Sequence, residues 1–143
     1  MKYLEYEYNE DTKVSTCTIG TKWGTFTATA HLSEEDADVE SSYSGVRFAE
    51  RKCLAKIANA KRKAMYQRYV GMENLMGIIC DNIDDDTYFR IQRQLNKAWN
   101  DYITAKEEYK SLVNSYKDYV SETLEEHRNL NKRWEEMKKR NAE

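Results

Sequence analysis

Thr87-Tyr88-Phe89-Arg90-Ile91-Gln92-Arg93-Gln94-Leu95-Asn96-Lys97-Ala98-Trp99-Asn100-Asp101-Tyr102 opens the stretch whose period decides the fold. A stripe continues from it at three- and four-residue steps: Ile91, Leu95, Trp99, Tyr102, Tyr109, Val113, Tyr116, Val120, Leu124, His127, Leu130, Trp134 and Met137. That is close to a heptad repeat and predicts a long helix with coiled-coil-like packing. From about Thr87 to near the C-terminus it would span roughly 75–80 Å, at about 1.5 Å per residue.

A shorter helix is predicted just before it, from about Gly45 to Ile79. Val46, Ala49, Cys53, Ile57, Ala60 and Ala64 form one stripe, which Met65, Tyr69, Met72, Met76 and Ile79 continue with a shift. Asp81-Asn82-Ile83-Asp84-Asp85-Asp86 breaks the pattern, and its acids sit where the dipole of the next helix favours negative charge. Proline is absent and glycine numbers 5, so nothing interrupts either helix. The two helices form an antiparallel hairpin. The longer one runs back past the start of the shorter, so Leu124 to Met137 should reach the N-terminal part of the chain. Two helices leave an apolar flank open, and a second copy of the chain is the simplest cover.

The N-terminal residues change period. Tyr3, Glu5 and Glu7 alternate with Leu4, Tyr6 and Tyr8, as in a half-buried strand. Asn9 to Lys13 reads as a turn, and Val14 to Ile19 as a strand rich in β-branched residues. Gly20 to Gly24 reads as a second turn around Trp23, and Thr25 to Leu32 as a third strand. Such short connections predict a three-stranded meander. Ser33 to Ser44 is an acidic loop with Ser33 a candidate cap for one helical turn. The expected fold class is therefore α+β: a small antiparallel sheet with its loop over residues 1–44, and a helical hairpin over 45–143.

Charge is segregated. Residues 1–44 hold nine acids and three bases, residues 45–80 two acids and eight bases, and residues 81–143 fourteen acids and twelve bases. A basic helix between acidic neighbours fits internal pairing, pairing between subunits, or an anionic ligand. The cysteines Cys17, Cys53 and Cys80 are odd in number and form no CxxC pair, which predicts reduced thiols and no zinc site. Met1-Lys2-Tyr3-Leu4-Glu5 lacks the apolar run of a secretory signal, and no stretch approaches about 18 apolar residues. An intracellular protein without a membrane span is expected.

No motif carries catalysis. Phosphate loop, HExxH, nucleophile elbow and metal-ligand spacing are all absent from the sequence. His31 and His127 are isolated and read as structural. Asp84-Asp85-Asp86 lacks the alternation of a calcium loop and reads as a solvated helix start. No cofactor and no enzyme activity are expected.

Two basic groups are candidates for binding. Arg47 and Arg51 lie one turn apart near the start of the first helix. Arg90, Arg93 and Lys97 share a face early in the second, beside Tyr88 and Phe89. Guanidinium forks match phosphate oxygens, and planar side chains can stack a base. Ordinary solvated surface is the competing reading. Within one hairpin Arg47 and Arg90 would lie roughly 50 Å apart, too far to share a small ligand. In a two-fold dimer of antiparallel hairpins, Arg47 of one chain could approach Arg90 and Arg93 of the other, giving two composite sites. Lys61-Arg62-Lys63 with Lys56 and Arg68 could touch nucleic acid, but pairing with acids of the long helix is the simpler reading.

Several stretches carry a resemblance. Tyr8-Asn9-Glu10, Val14-Ser15-Thr16-Cys17-Thr18-Ile19, Thr21-Lys22-Trp23-Gly24-Thr25-Phe26, the acidic run Glu35-Asp36-Ala37-Asp38-Val39-Glu40-Ser41 and Gly45-Val46-Arg47-Phe48-Ala49-Glu50-Arg51 resemble the phage Thoeris anti-defence family, first type. Tyr88-Phe89-Arg90-Ile91-Gln92-Arg93-Gln94-Leu95 resembles the family's Arg-rich start of the second helix. The resemblance implies a sponge that sequesters a cyclic ADP-ribose-type immune signal without cleaving it. It further implies a small sheet, two long helices and pockets at a dimer interface, with hexamers in some members, in the cytoplasm of an infected bacterial cell. Carried over on these motifs, Arg47 and Arg51 line the pocket from one chain, and Phe89, Arg90, Arg93 and Asn96 from the other. Val46 stands where the family usually has Cys, and the helices are longer, which makes cyclic oligonucleotides a second candidate cargo. A coiled-coil interaction protein with no small ligand is the alternative.

Overall fold

The computed structural model describes residues 2–31 and 42–142. It has three strands, β1 (Tyr3–Asn9), β2 (Val14–Thr21) and β3 (Gly24–His31), then helices α1 (Ser42–Ile79) and α2 (Asp85–Ala142). The sheet is an antiparallel meander in the order β1-β2-β3. The α+β architecture is the one its sequence patterns predict. Leu32 as strand end, the Ser33 cap and the acidic loop as far as residue 41 lie outside the described residues, while α1 begins at Ser42, three residues before the expected Gly45 and inside the span read as loop. The chain gathers into two compact units, Met1–Leu54 with Leu112–Glu143, and Ala55–Ser111.

In the first unit, side-chain chemistry closes both hairpins. Asn9 accepts through its Oδ1 from the amides of Asp11 (2.9 Å) and Thr12 (3.1 Å), while Lys13 takes a positive φ of 59°. The second turn is tighter than the sequence suggests, because β2 runs on to Thr21 and leaves only Lys22 and Trp23 between the strands. Gly24 has φ 127°, which strains any residue with a Cβ. Thr21 Oγ1 donates to the Gly24 carbonyl at 3.0 Å.

Register sorts the faces. Ser15, Cys17 and Ile19 of β2 pair with Ala30, Ala28 and Phe26 of β3 and with Tyr8, Tyr6 and Leu4 of β1. Most of this face is sealed: Ser15, Cys17, Ile19, Ala28 and Ala30 are buried. α1 lays Gly45 against Ser15 and brings Cys53 to the sheet, with Phe48 and Ala49 buried on the same helix. The Cys53 thiol donates to the Phe26 carbonyl at 3.2 Å, and Lys52 Nζ to the Thr29 carbonyl at 3.0 Å. Burying Phe48, which is 3% exposed, contributes on the order of 2–3 kcal/mol. α2 adds a further layer: Tyr119 meets Phe48 edge to face at 5.9 Å, Leu124 is buried, and His127 Nε2 lies 3.4 Å from Ser44 Oγ.

The stripe of α2 corrects one expectation. Its period predicts contact with the N-terminal part of the chain from Leu124 through Met137. His127 meets Ser44 and Leu124 is buried, but Leu130, Trp134 and Met137 are 59%, 58% and 52% exposed. The helix simply outruns the layer it packs on.

The second unit holds the remaining length of both helices and the turn between them. A 3-10 turn over Cys80–Asn82 ends α1. Asp84 then caps α2, accepting from the Thr87 amide at 2.8 Å. Hydrogen bonding to Thr87, with help from nearby Arg90, holds the Asp84 carboxyl below its ordinary range. Ala58, Met76, Leu95, Ala98 and Ala105 are buried. Three alanines among these five residues allow close helix approach. Aromatic pairs flank them, Tyr66 with Tyr102 at 5.1 Å and Tyr69 with Trp99 at 5.0 Å. No described helix is long and apolar enough to cross a membrane.

Candidate functional site

Arg47 and Arg51 belong to the first unit, one turn apart on α1. Both are exposed, but both are engaged. Arg47 Nη1 lies 3.3 Å from Glu50 Oε2, and Glu50 also accepts from the Tyr6 hydroxyl at 3.2 Å. Burial and the Glu50 charge together push the Tyr6 phenol upward. The Arg51 guanidinium stacks 4.3 Å above the Tyr119 ring. A stacked Arg keeps its planar edge for a second partner, so this contact orients the fork without consuming it.

Phe89, Arg90, Arg93 and Asn96 belong to the second unit, within the first four turns of α2. All four are exposed, Phe89 to 60%. Phe89 meets Tyr88 edge to face at 5.6 Å. The Arg93 side chain makes no hydrogen bond or ion pair among the described residues. Asn96 lies apart in character from the arginines. It borders a hollow of about 400 Å³ with Tyr69, Glu73, Met76, Gln92, Leu95 and Trp99. The first group and the second are thus carried by different units of the chain.

Two residues of the mid-helix basic patch meet α2. Lys61 pairs with Glu108 at 3.5 Å. Arg62 donates to Asn59 Oδ1 at 2.7 and 3.1 Å and lies 5.5 Å over Tyr109. Among the described residues no group of three or more His, Cys, Asp and Glu side chains could hold a metal ion.

Sequence reasoning did not single out Glu50, Tyr119 or the Glu73–Gln92–Trp99 hollow. Glu50 was legible as an i,i+3 partner of Arg47. Tyr119 and the hollow needed the pairing of α1 with α2, which spacing within one helix does not reveal.

Comparison of the chain with protein-family models, with curated proteins and with solved structures gives no match.

Proposed function

We propose that the protein is a phage anti-defence sponge that binds a cyclic ADP-ribose-type signal, or another cyclic nucleotide, and withholds it without cleavage. The observation carrying this reading is the exposed cluster of Phe89, Arg90 and Arg93 at the start of α2. A planar ring beside two exposed guanidinium groups suits a ligand with stacked base and phosphate. The complementary half is Arg47 with Arg51, supplied by a second chain, so that a homodimer or higher oligomer holds composite sites. Sequestration requires affinity and no chemistry, and no catalytic constellation is needed for it.

Calorimetric titration with cyclic ADP-ribose tests the reading. Binding is expected for the native chain and a loss of at least tenfold for Arg90→Ala with Arg93→Ala. Heating the complex is expected to release the ligand intact. Undiminished binding by the double variant, or recovery of a hydrolysed product, would refute the sponge.

A second reading has its own observation. Leu130, Trp134 and Met137 form an exposed stripe at i, i+4 and i+7, as a coiled-coil interaction protein requires. It predicts assembly that Trp134→Ser weakens, with no small ligand bound.

A further inference from the structure

We propose that the hollow bordered by Tyr69, Glu73, Gln92, Asn96 and Trp99 is a subsite for a purine base carrying an exocyclic amine; the choice of ligand rests on the nucleotide reading above, the site itself does not.

Its floor is apolar. Met76 and Leu95, 7% and 6% exposed, line it from the packed helix seam. Its wall is aromatic. Trp99 leans on Tyr69 at 5.0 Å with a 56° tilt and on Tyr102 at 5.4 Å, yet keeps 42% of its surface open. Held on one side and open on the other, an indole is a stacking surface that loses little freedom on binding.

The rim is polar in a specific way. Gln92 and Asn96 stand one turn apart on α2, and each carboxamide offers a donor and an acceptor side by side. That is the pattern a purine edge presents in reverse. Glu73 supplies a carboxylate from α1 to receive an exocyclic amine. It stands near enough to Tyr69 to raise that phenol. The carboxylate has acceptor capacity left for a ligand. Its charge also keeps phosphate out of the hollow. Arg93 and Lys97 are exposed on the same turns of α2 but do not line the hollow, so any phosphate contact is made outside it. A hollow of about 400 Å³ suits a nucleoside-sized group.

The chain has 3 tryptophans, so the Trp99 indole N–H signal can be assigned in a heteronuclear NMR spectrum by its loss in Trp99→Phe. Titration of the native protein with AMP and with GMP is expected to move that signal saturably. Ribose 5-phosphate and inorganic phosphate are expected to leave it in place. The Gln92→Ala, Asn96→Ala double variant, whose helical circular dichroism reports its fold, is expected to weaken purine binding at least tenfold. A Trp99 signal unmoved by both purine nucleotides, or moved equally by ribose 5-phosphate, overturns the subsite. Binding of cyclic ADP-ribose with Trp99 undisturbed would remove this subsite and leave the sponge standing. A purine-dependent Trp99 shift in a protein that binds no cyclic signal would do the reverse.

Discussion

Gly45 of α1 lies directly against Ser15 of β2, so close that a methyl group on Gly45 would overlap the Ser15 hydroxyl. This contact sets how near the helix can approach the sheet, and Arg47 and Arg51 follow it on the same helix. Gly71, further along α1, has open space within 4 Å of where a methyl group would sit.

The two glycines therefore respond oppositely to alanine. Gly71→Ala gains helix propensity of about 0.5–1 kcal/mol with no clash. Gly45→Ala makes the same gain but overpacks the sheet interface at a cost of about 1–3 kcal/mol, so it destabilises on balance. Urea unfolding checks both. Equal stabilisation by the two substitutions would show that α1 does not rest on β2 through Gly45.

Cys17 gives a pH dependence with a definite sign. Burial, the adjacent Cys53 thiol and the Glu50 charge push its thiol from 9.0 to about 11. In the unfolded chain the thiol ionises from about pH 9, whereas in the folded chain it stays protonated to about pH 11. The unfolded state thus holds fewer protons between these values, and stability falls as pH rises. The stability difference between the native chain and Cys17→Ala should be constant below pH 9 and shrink between pH 9 and 11. A constant difference across that window would contradict the buried placement of the thiol.

Arg51 and Tyr119 should be energetically coupled. A double-mutant cycle of Arg51→Ala with Tyr119→Leu is expected to return a coupling of about 0.5–1 kcal/mol by thermal or urea unfolding. Arg51→Lys should retain part of it, because the point charge remains while the planar stack is lost. Zero coupling would leave Arg51 a solvated side chain.

The fold was legible because its periods change cleanly. Period two in Leu4, Tyr6 and Tyr8 and the heptad from Ile91 to Met137 each assigned an element, and Asp84 marked the helix start that it caps. The turn after Thr21 is tighter than its sequence suggests, because β2 pairs with β3 for two residues beyond Ile19 and the Thr21 hydroxyl closes what remains. The sites were legible as residue types only. Arg47 and Arg51 stand out in sequence, but Glu50 and Tyr119, which hold them, answer to contacts made across elements. The uncovered end of the stripe at Leu130, Trp134 and Met137 could not be told from its covered part, since periodicity reports a face and not what packs on it.

A site in which arginines from two chains meet at one ligand is tested directly by subunit complementation. Arg47→Ala/Arg51→Ala protein and Arg90→Ala/Arg93→Ala protein are each expected to bind no cyclic ADP-ribose by calorimetry. Co-expressed, they form mixed dimers in which one of the two composite sites is intact, and about one quarter of the native binding capacity returns. A mixture as silent as its parts, or full binding by either variant alone, would contradict a site shared between chains.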